Sequence, residues 1–365
     1  MRTNSLSFFL ALLMRASLCT PSPRASRTES ASCSSSSFST LDSSRVSTVE
    51  EAVRVQEQGG TTLRARFPAG FGAAVARRWS EWRERTGKAR VVRLEAGCGR
   101  TTNRLATLED GSRACVRYGV DQDQVLGETL CYYLSTMLGI PNVPPLVLTK
   151  PDPFSQQWSA VRDSIEALNW SSNAIVSLTQ WVSNATRVSI PVQLLRKLGT
   201  GVHPAPLTLE NMTSSDLREL KQWTDLIVFD YLTANFDRVA SHLFNLQWDR
   251  RAMDRLTNNL LRTTKGQLVF IDNEAGLVHG YRVLDRWEHL HQTLLNSTCM
   301  FRESTVQRLT ELTLCRSAAQ RLRQVYQTRE PLALELGFLS EAQMLTLQNR
   351  VDTLYRHFQQ CGRVA

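Results

Sequence analysis

An apolar segment that ends in a charged pair constrains most strongly how this chain can fold. Residues 223–239, WTDLIVFDYLTANFDRV, contain a run of Val, Leu and Phe that is typical of a protein interior, followed by Asn235 and the pair Asp237-Arg238. A carboxylate is rarely buried without a partner, because burial removes the water that stabilises its charge. Asp237 is therefore either an ordinary residue at a helix end or a side chain that the apolar segment holds in a functional position.

The composition is that of a globular chain. Of the 365 residues, 42% are hydrophobic, which is enough to bury one large core or two smaller ones. The formal net charge is +9, but arginine is spread over the whole length without a dense basic run or the spacing of a zinc finger or a helix-turn-helix. Nucleic-acid binding is therefore not expected.

The first residues predict entry into the secretory pathway. Arg2 precedes the apolar stretch LSFFLALLM at 6–14, and small residues follow it, which is the layout of a secretory signal. The stretch is far shorter than the ~20 apolar residues that span a bilayer. Residues 1–19 are interpreted as a signal peptide, with a short signal anchor, the only expected membrane contact, as the alternative. Residues 20–52 are Ser-rich and predict a flexible stem.

Glycosylation acceptors and cysteines agree with this route. Asn-x-Ser/Thr occurs at Asn169, Asn184, Asn211 and Asn296. The eight cysteines lack CxxC or paired zinc spacing, so disulfides are favoured over a metal cluster, and their connectivity stays open at this point.

The remaining patterns predict an α+β fold with two lobes. Helical spacing at 71–87 is followed by strand-like segments at 90–96, 103–109 and 112–118, a helix at 121–138 and a strand at 145–149. Residues 214–234 and 304–360 are mainly helical in pattern, and Ser340 with Gln343 forms a capping box. We predict N-terminal helices and a small antiparallel-sheet lobe with one key helix over 53–150, and a larger, mainly helical lobe over 151–365.

Three acidic positions interrupt the apolar patterns. Besides Asp237, Asp272 follows the strand-like LVFI at 268–271, and Glu128 lies among apolar residues of a predicted helix. Carboxylates brought into one cleft suit phosphoryl transfer with a divalent metal ion. Structural roles are the alternative, with the two aspartates as cap or turn residues and Glu128 as an exposed helical residue.

The order of the elements indicates a kinase. A glycine-containing turn, GCGR at 97–100, precedes a strand ending in the cation Arg117, then the helix with Glu128, then the two aspartate sites. The H-R-D-L, D-F-G and G-x-G-x-x-G signatures of typical protein kinases are absent from the sequence.

Longer segments carry a family resemblance. DLIVFDYLTANFDR (225–238), LFNLQWD (243–249) and LVFIDNEAGLVHGYRV (268–283), together with RLEAGCGR, RACVRYG and GETLCYYL, resemble the four-jointed family of atypical secretory-pathway kinases, which is related to the family-with-sequence-similarity-20 kinases. The resemblance covers most of residues 90–310. It implies a two-lobed atypical kinase of the Golgi lumen or extracellular space that phosphorylates Ser or Thr of Fat- and Dachsous-type cadherin repeats in planar polarity and growth control.

The resemblance also implies a role for each candidate residue. Asp237 would be the catalytic base, and Asp272 would hold Mn²⁺ or Mg²⁺ on the phosphates of ATP. Glu128 would be the acid of the small-lobe helix, able to reach both the metal and the strand cation. Arg117 would contact the phosphates where other kinases have Lys. The turn that would cover the nucleotide contains Gly97, Gly99 and Arg100.

The sequence departs from the kinase pattern at one metal position. Kinases place a metal-binding Asn five residues after the catalytic Asp, and here that residue is His242, with Asn245 three residues further on. Neutral imidazole is a poor ligand for a hard cation. The second metal ligand is left open between Asn273 and Asn245, and His242 is interpreted as a packed or hydrogen-bonded residue.

The resemblance also implies one disulfide. Related kinases tie a segment after the metal motif to the C-terminus, and Cys299 and Cys361 occupy the matching places. Cys98 and Cys115 lie on neighbouring predicted elements and form a second candidate pair, while Cys131 is a candidate buried free thiol.

Three functions stay open. The first is an active lumenal Ser/Thr kinase that uses Asp237, Asp272 and Glu128. The second is a pseudokinase that acts by binding, in which His242 and Arg117 mark lost metal or phosphate handling. The third is a secreted glycoprotein ligand. Phosphorylation of a sugar hydroxyl would use the same catalytic residues as the first.

Overall fold

The computed structural model describes residues 64–65, 70–195, 202 and 213–361, with side chains described from Ala74 onward. The predicted signal and stem, and the acceptor Asn211, lie outside these residues. The strands are β1 (Arg64–Ala65), β2 (Val91–Glu95), β3 (Arg104–Leu108), β4 (Arg113–Arg117), β5 (Leu146–Thr149), β6 (Val176–Gln180), β7 (Thr186–Ser189), β8 (Leu256–Arg262), β9 (Leu268–Phe270) and β10 (Phe301–Arg302). The helices are α1 (Gly70–Lys88), α2 (Gln122–Leu138), α3 (Arg162–Ala167), α4 (Ser214–Thr233), α5 (Val239–Asn245), α6 (Val278–Arg282), α7 (Leu284–Asn296), α8 (Glu303–Leu314), α9 (Ala318–Arg329), α10 (Ala333–Leu336) and α11 (Glu341–Cys361).

The small lobe is built on an antiparallel five-stranded sheet with the order β2-β3-β4-β6-β5. β3 and β4 form the hairpin that Asp-Gly predicted, and Gly111 takes the left-handed conformation (φ 80°) that this turn requires. Each predicted strand of this region is present within two residues of its expected ends.

The sheet extends beyond residue 150, where the boundary between the lobes was predicted. β6 pairs with both β4 and β5, so Val176–Gln180 is part of the small lobe. The core below the sheet also includes Trp158 and Ile165. This boundary was wrong because β6 lies after a helical, polar stretch, and its pairing with β4 is a long-range contact that local patterns do not encode.

α2 joins the two lobes. The Asp121 side chain caps its first turn by accepting from the backbone N–H of Gln124, and Gly139 ends it in a left-handed conformation (φ 69°). Although predicted as a small-lobe helix, α2 contributes its buried apolar residues to the larger of the two apolar clusters. Gly127 allows a close approach, because a Cβ there would lie 3.0 Å from the carbonyl oxygens of Glu274 and Gly276.

The large lobe consists of α4–α11 and a three-stranded antiparallel sheet of order β7-β8-β9. α4 begins with a capping box between Thr213 and Asp216. The predicted capping box of Ser340 and Gln343 is confirmed, since each side chain accepts from the backbone N–H of the other residue. α4 runs through the centre of the lobe, and from Leu220 to Thr233 all but one of its residues are buried.

The five cysteines for which a state was predicted agree with those predictions. Cys299 is bonded to Cys361, Cys98 is bonded to Cys115, and Cys131 is a buried free thiol. The acceptors Asn169, Asn184 and Asn296 are exposed, as a glycan would require. Within the described ranges, none of the helices combines the length and the apolar character of a bilayer-spanning segment.

We expect the Cys299–Cys361 and Cys98–Cys115 disulfides to stabilise the chain unequally. Cys299 and Cys361 are 62 residues apart and Cys98 and Cys115 are 17 apart. The chain-entropy argument then gives a loss of about 4 kcal/mol in unfolding free energy for Cys299→Ser/Cys361→Ser and about 3 kcal/mol for Cys98→Ser/Cys115→Ser. Equilibrium unfolding in guanidinium measures both, with Cys131→Ser as the control that breaks no disulfide. A larger loss for the shorter loop would contradict the argument.

Candidate active site

Asp237 lies on the loop that follows α4. The helix ends where Ala234 adopts a left-handed conformation (φ 52°), which turns the chain out of the core. The side-chain oxygen of Asn235 then accepts from the backbone N–H of Asp237 at 3.0 Å. The apolar segment is thus the buried part of α4, and the loop after it places Asp237 where its carboxylate is half-buried, as the sequence predicted.

Asn259 of β8 fixes this carboxylate. Its side-chain amide donates to Oδ2 of Asp237 at 2.8 Å, and its backbone is left-handed (φ 54°), which aims the side chain at the loop. Burial raises the pKa of Asp237 and the charge of Asp272 raises it further, whereas the hydrogen bond from Asn259 lowers it. Asn259 was not predicted; the only signal in the sequence is a polar Asn-Asn pair inside a strand.

A second loop, after β9, brings Asp272 to the same place. Asp272 is also left-handed (φ 55°), and a 3-10 turn, Asn273–Ala275, follows it. The backbone N–H of Asn273 donates to the Glu128 carboxylate at 2.5 Å, which fixes α2 to this loop. Glu128 is therefore buried, and burial raises its pKa, as does the charge of Asp272, while Arg117 lowers it.

Arg117 at the end of β4 contacts three carboxylates of the site. Its guanidinium lies 2.5 Å from Glu274, 2.8 Å from Asp272 and 3.8 Å from Glu128. Desolvation opposes the charge of Arg117, but the three carboxylates outweigh it and raise the pKa of the guanidinium. The predicted pairing with Glu128 is thus the longest of the three, and the shortest is with Glu274, to which no role was assigned.

The predicted glycine turn lies over these groups. Gly97 and Gly99 have φ values of 128° and 91°, so the turn requires glycine at both positions. The disulfide between Cys98 and Cys115 ties the turn to β4, two residues before Arg117. Arg100, half-exposed, forms an ion pair with Glu274.

Arg238 holds the two loops together from behind. Its guanidinium is fully buried and contacts the Asp230 carboxylate at 2.5 Å and the carbonyl oxygen of Asn259 at 3.1 Å. It also donates to the carbonyl of Ile271 at 3.0 Å and to the side-chain oxygen of Asn273 at 2.5 Å. Burial raises the pKa of Asp230 to about 7, although Arg238 favours its charged form.

Neither candidate for the second metal ligand is supported. The Asn273 side chain is fully buried, and its oxygen accepts from Arg238 while its amide donates to the carbonyl of Phe270. The Asn273 side-chain oxygen, the atom that would bind a metal ion, is engaged by Arg238, so the structure gives no support to this predicted role. Asn245 is exposed at the end of α5. His242 is buried and hydrogen-bonded through Nδ1 to the carbonyl of Ala252 at 2.7 Å, which confirms its packed role.

The donor chemistry of the site fits a divalent cation. Five carboxylates (Asp230, Asp237, Asp272, Glu128 and Glu274) and three guanidinium groups (Arg100, Arg117 and Arg238) meet here, so two negative charges remain when all are ionised. The side chain of Asp272 is 34% exposed, more than those of Glu128, Glu274 and Asp230. Hard oxygen donors with surplus negative charge suit Mg²⁺ or Mn²⁺.

The chain matches a known protein family and several known proteins. A family model described as the four-jointed box protein middle domain matches residues 77–364. The chain is 54% identical over 299 residues to four-jointed box protein 1 of Xiphophorus maculatus, covering 82% of this chain and 68% of that protein. It is 34% identical over 351 residues to the extracellular serine/threonine protein kinase four-jointed of Drosophila melanogaster, covering 83% of this chain and 60% of that protein.

Solved kinase structures share the fold. The Golgi casein kinase with Mn/ADP bound aligns with a TM-score of 0.51 at 12% identity, over 78% of this chain and 76% of that chain. The prediction of a two-lobed α+β kinase-like fold is thereby confirmed.

Replacing Arg238 should destabilise the chain in a pH-dependent way. Arg238→Met leaves the buried Asp230 without its partner, which should lower the unfolding free energy by about 3–5 kcal/mol. A buried acid with a raised pKa favours the folded state at low pH and loses that contribution as pH rises through the folded value, about 7 for Asp230. Removing the arginine raises this pKa further, so the loss should be larger at pH 8 than at pH 5.

Urea unfolding at the two pH values measures this loss. Lys88→Met, which breaks the exposed pair of Lys88 with Glu84, is the control and should cause no measurable change. An equal loss from Arg238→Met at both pH values would show that Asp230 does not carry the effect.

Asn259→Gly should raise the pKa of Asp237. Glycine accepts the left-handed backbone, so the change removes the hydrogen bond to the carboxylate without strain. The hydrogen bond stabilises the charged form, and its loss shifts the titration to higher pH. Carboxyl ¹³C NMR, with Asp237→Asn to assign the resonance, measures the shift. The neighbouring Asn258→Gly is the matched control; an Asp237 titration equal in both variants would refute the role of Asn259.

Proposed function

The chain belongs to the four-jointed box protein family, and from this premise we propose that it is a serine/threonine protein kinase of the secretory pathway. It transfers the γ-phosphate of ATP to Ser or Thr hydroxyls of extracellular cadherin repeats of the Fat and Dachsous type. The reaction takes place in the Golgi lumen or after secretion, and it tunes cadherin binding in planar polarity and growth control.

One observation carries the proposal. Asp237 and Asp272 come from two loops that are 35 residues apart in sequence, yet Arg238 contacts both loops, and the charge of Asp272 raises the pKa of Asp237. Arg117 of the small lobe contacts both Asp272 and Glu128, the latter on the helix α2 that joins the lobes. A proton acceptor, a cation-binding carboxylate and phosphate-binding arginines therefore share one cleft, which is what phosphoryl transfer requires.

Asp237 and Asn259 act on the acceptor hydroxyl. Asp237 accepts the proton of the acceptor hydroxyl. The hydroxyl oxygen forms a bond to the γ-phosphorus of ATP, and the bond between that phosphorus and the leaving ADP oxygen breaks. The raised pKa of Asp237 suits a base that must hold this proton. Asn259 orients the carboxylate, since its amide donates to Oδ2 and leaves Oδ1 for the hydroxyl. Correct placement of the two reactants supplies much of the acceleration.

Asp272 and Glu128 would hold the divalent cation, Mn²⁺ or Mg²⁺, which neutralises charge on the phosphates when bound. Arg117 is held between their carboxylates by ion pairs, so it is placed to contact the same phosphates. Arg100, on the disulfide-tied turn, is exposed enough to contact the nucleotide from above. The acceptor class follows from the family resemblance.

The two aspartates should fail in different ways. Asp237→Asn should lower phosphate transfer by about 10²–10⁴-fold, the usual contribution of a general base, while Mn²⁺-dependent binding of ADP persists. Asp272→Asn should lose both the transfer and the metal-dependent binding. Transfer of labelled phosphate from ATP to purified cadherin-repeat fragments, with Mn²⁺ or Mg²⁺ present, measures the first property, and calorimetry with ADP measures the second.

The control is Asp163→Asn, an exposed acid on α3 that should leave both properties unchanged. Transfer that survives Asp237→Asn would remove Asp237 as the base. A folded wild-type chain that neither binds ADP nor transfers phosphate would instead favour a binding role for the protein.

A further inference from the structure

A row of aromatic side chains leads away from the catalytic loop. Phe236, the residue before Asp237, stacks on Trp287 of α7 with ring centroids 4.8 Å apart and planes 15° apart. Trp287 contacts Phe244 of α5 at 4.9 Å, and Phe244 contacts Trp248 edge-on at 4.9 Å. These four residues are called the aromatic row.

The aromatic row is open to solvent along its length. Phe236, Phe244 and Trp287 are only partly buried, and Trp248 at the outer end is 69% exposed. Phe236 packs against the large core, which fixes the inner end of the row beside the base. A continuous apolar surface that is only half covered is typical of a binding site.

The aromatic row also carries positive charge without carboxylate partners. The guanidinium of Arg286 lies over Phe244 at 4.9 Å and over Trp287 at 5.9 Å. Within the described residues, no carboxylate lies at ion-pair distance from Arg286, or from the exposed Arg250 and Arg251 that follow Trp248.

Neighbouring arginines differ in this respect. Arg255 is paired with Asp249, and Arg282 is paired with Asp123. An arginine that stacks on aromatic rings keeps its planar donors available for a carboxylate.

We propose that the aromatic row binds the polypeptide segment that carries the acceptor hydroxyl, and that it selects segments with an apolar and an acidic side chain near the acceptor. This inference rests on the proposed kinase function. The row begins at the residue next to the base, so any chain that places its hydroxyl on Asp237 and extends toward α5 crosses it. At ~3.3 Å per residue, an extended chain covers the row in roughly four residues.

The chemistry of the row matches the two features of the segment. Flat aromatic faces bind apolar side chains, and Trp248 presents the largest exposed face. The guanidinium of Arg286 binds a carboxylate by charge-assisted hydrogen bonds. The acidic residue should therefore lie within about four positions of the acceptor, a distance set by the length of the row.

The test uses two synthetic peptides with a single serine. In the acidic peptide, Glu and Tyr stand within four residues of the serine; in the basic peptide, Lys replaces Glu. Steady-state kinetics with wild type, Arg286→Glu and Trp248→Ala give kcat and KM for each peptide and for ATP. Thermal unfolding confirms that each variant is folded.

The expected result is a change in peptide KM. Arg286→Glu should raise the KM for the acidic peptide by about tenfold or more and should reverse the preference in favour of the basic peptide, because the surface charge is inverted. Trp248→Ala should raise the KM for both peptides. The kcat and the KM for ATP should stay near the wild-type values, which a general structural defect would not allow.

The matched controls lie on the small lobe. Arg162 stands 4.3 Å over Phe154, which is 78% exposed, so an arginine–aromatic contact also occurs outside the aromatic row; there the arginine is paired with Glu166. Arg162→Glu and Phe154→Ala should leave the peptide kinetics unchanged.

Three outcomes would overturn the inference. Equal peptide kinetics in Arg286→Glu and Arg162→Glu would do so. A second such outcome is transfer by the wild type to cadherin-repeat fragments but to neither peptide, and a third is transfer to a free sugar alone. In both of these the chain still transfers phosphate, so the proposed phosphoryl transfer is unaffected. No transfer to any acceptor would instead count against the proposed function.

Discussion

The buried guanidinium of Arg238 is the interaction on which the rest of the site depends. It contacts α4 through Asp230, β8 through Asn259 and the loop after β9 through Ile271 and Asn273. Burying an ion pair gives little net stability, because desolvation offsets most of the attraction. What the pair provides here is position: three elements from distant parts of the sequence are fixed around one planar group. Asp237, the residue immediately before Arg238, is thereby held in position.

A second arginine repeats this arrangement at the front of the cleft. Arg117 faces Glu128, Asp272 and Glu274 as Arg238 faces Asp230 and Asn273, so the loop after β9 lies between two cations. The small lobe supplies the front arginine and the large lobe supplies the rear one. The loop that carries Asp272 is therefore fixed by an arginine of the small lobe and by an arginine of the large lobe.

Local sequence patterns predicted the elements well and the partners of the site residues less well. The ends of α1, α2 and α4 were predicted within about two residues, and Asp237, Asp272 and Glu128 do meet. Periodicity and turn residues encode such features within a short window. The roles of Arg238 and Asn259 and the contact between Asn273 and Arg238 were missed, because each depends on a residue more than 20 positions away. β6 was assigned to the wrong lobe for the same reason.

The backbone conformation of three site residues explains why the site contains so many hydrogen bonds and ion pairs. Three residues with side chains, Ala234, Asn259 and Asp272, adopt left-handed conformations with φ between 52° and 55° on the three segments that form the site. Each such conformation costs about 1–2 kcal/mol outside glycine. It persists only where other bonds fix it: Asn259 by its bonds with Asp237, Arg238 and Ile271, and Asp272 by its ion pair with Arg117. The left-handed conformations direct Asp237 and Asp272 into one cleft, and Arg117 and Arg238 stabilise these conformations.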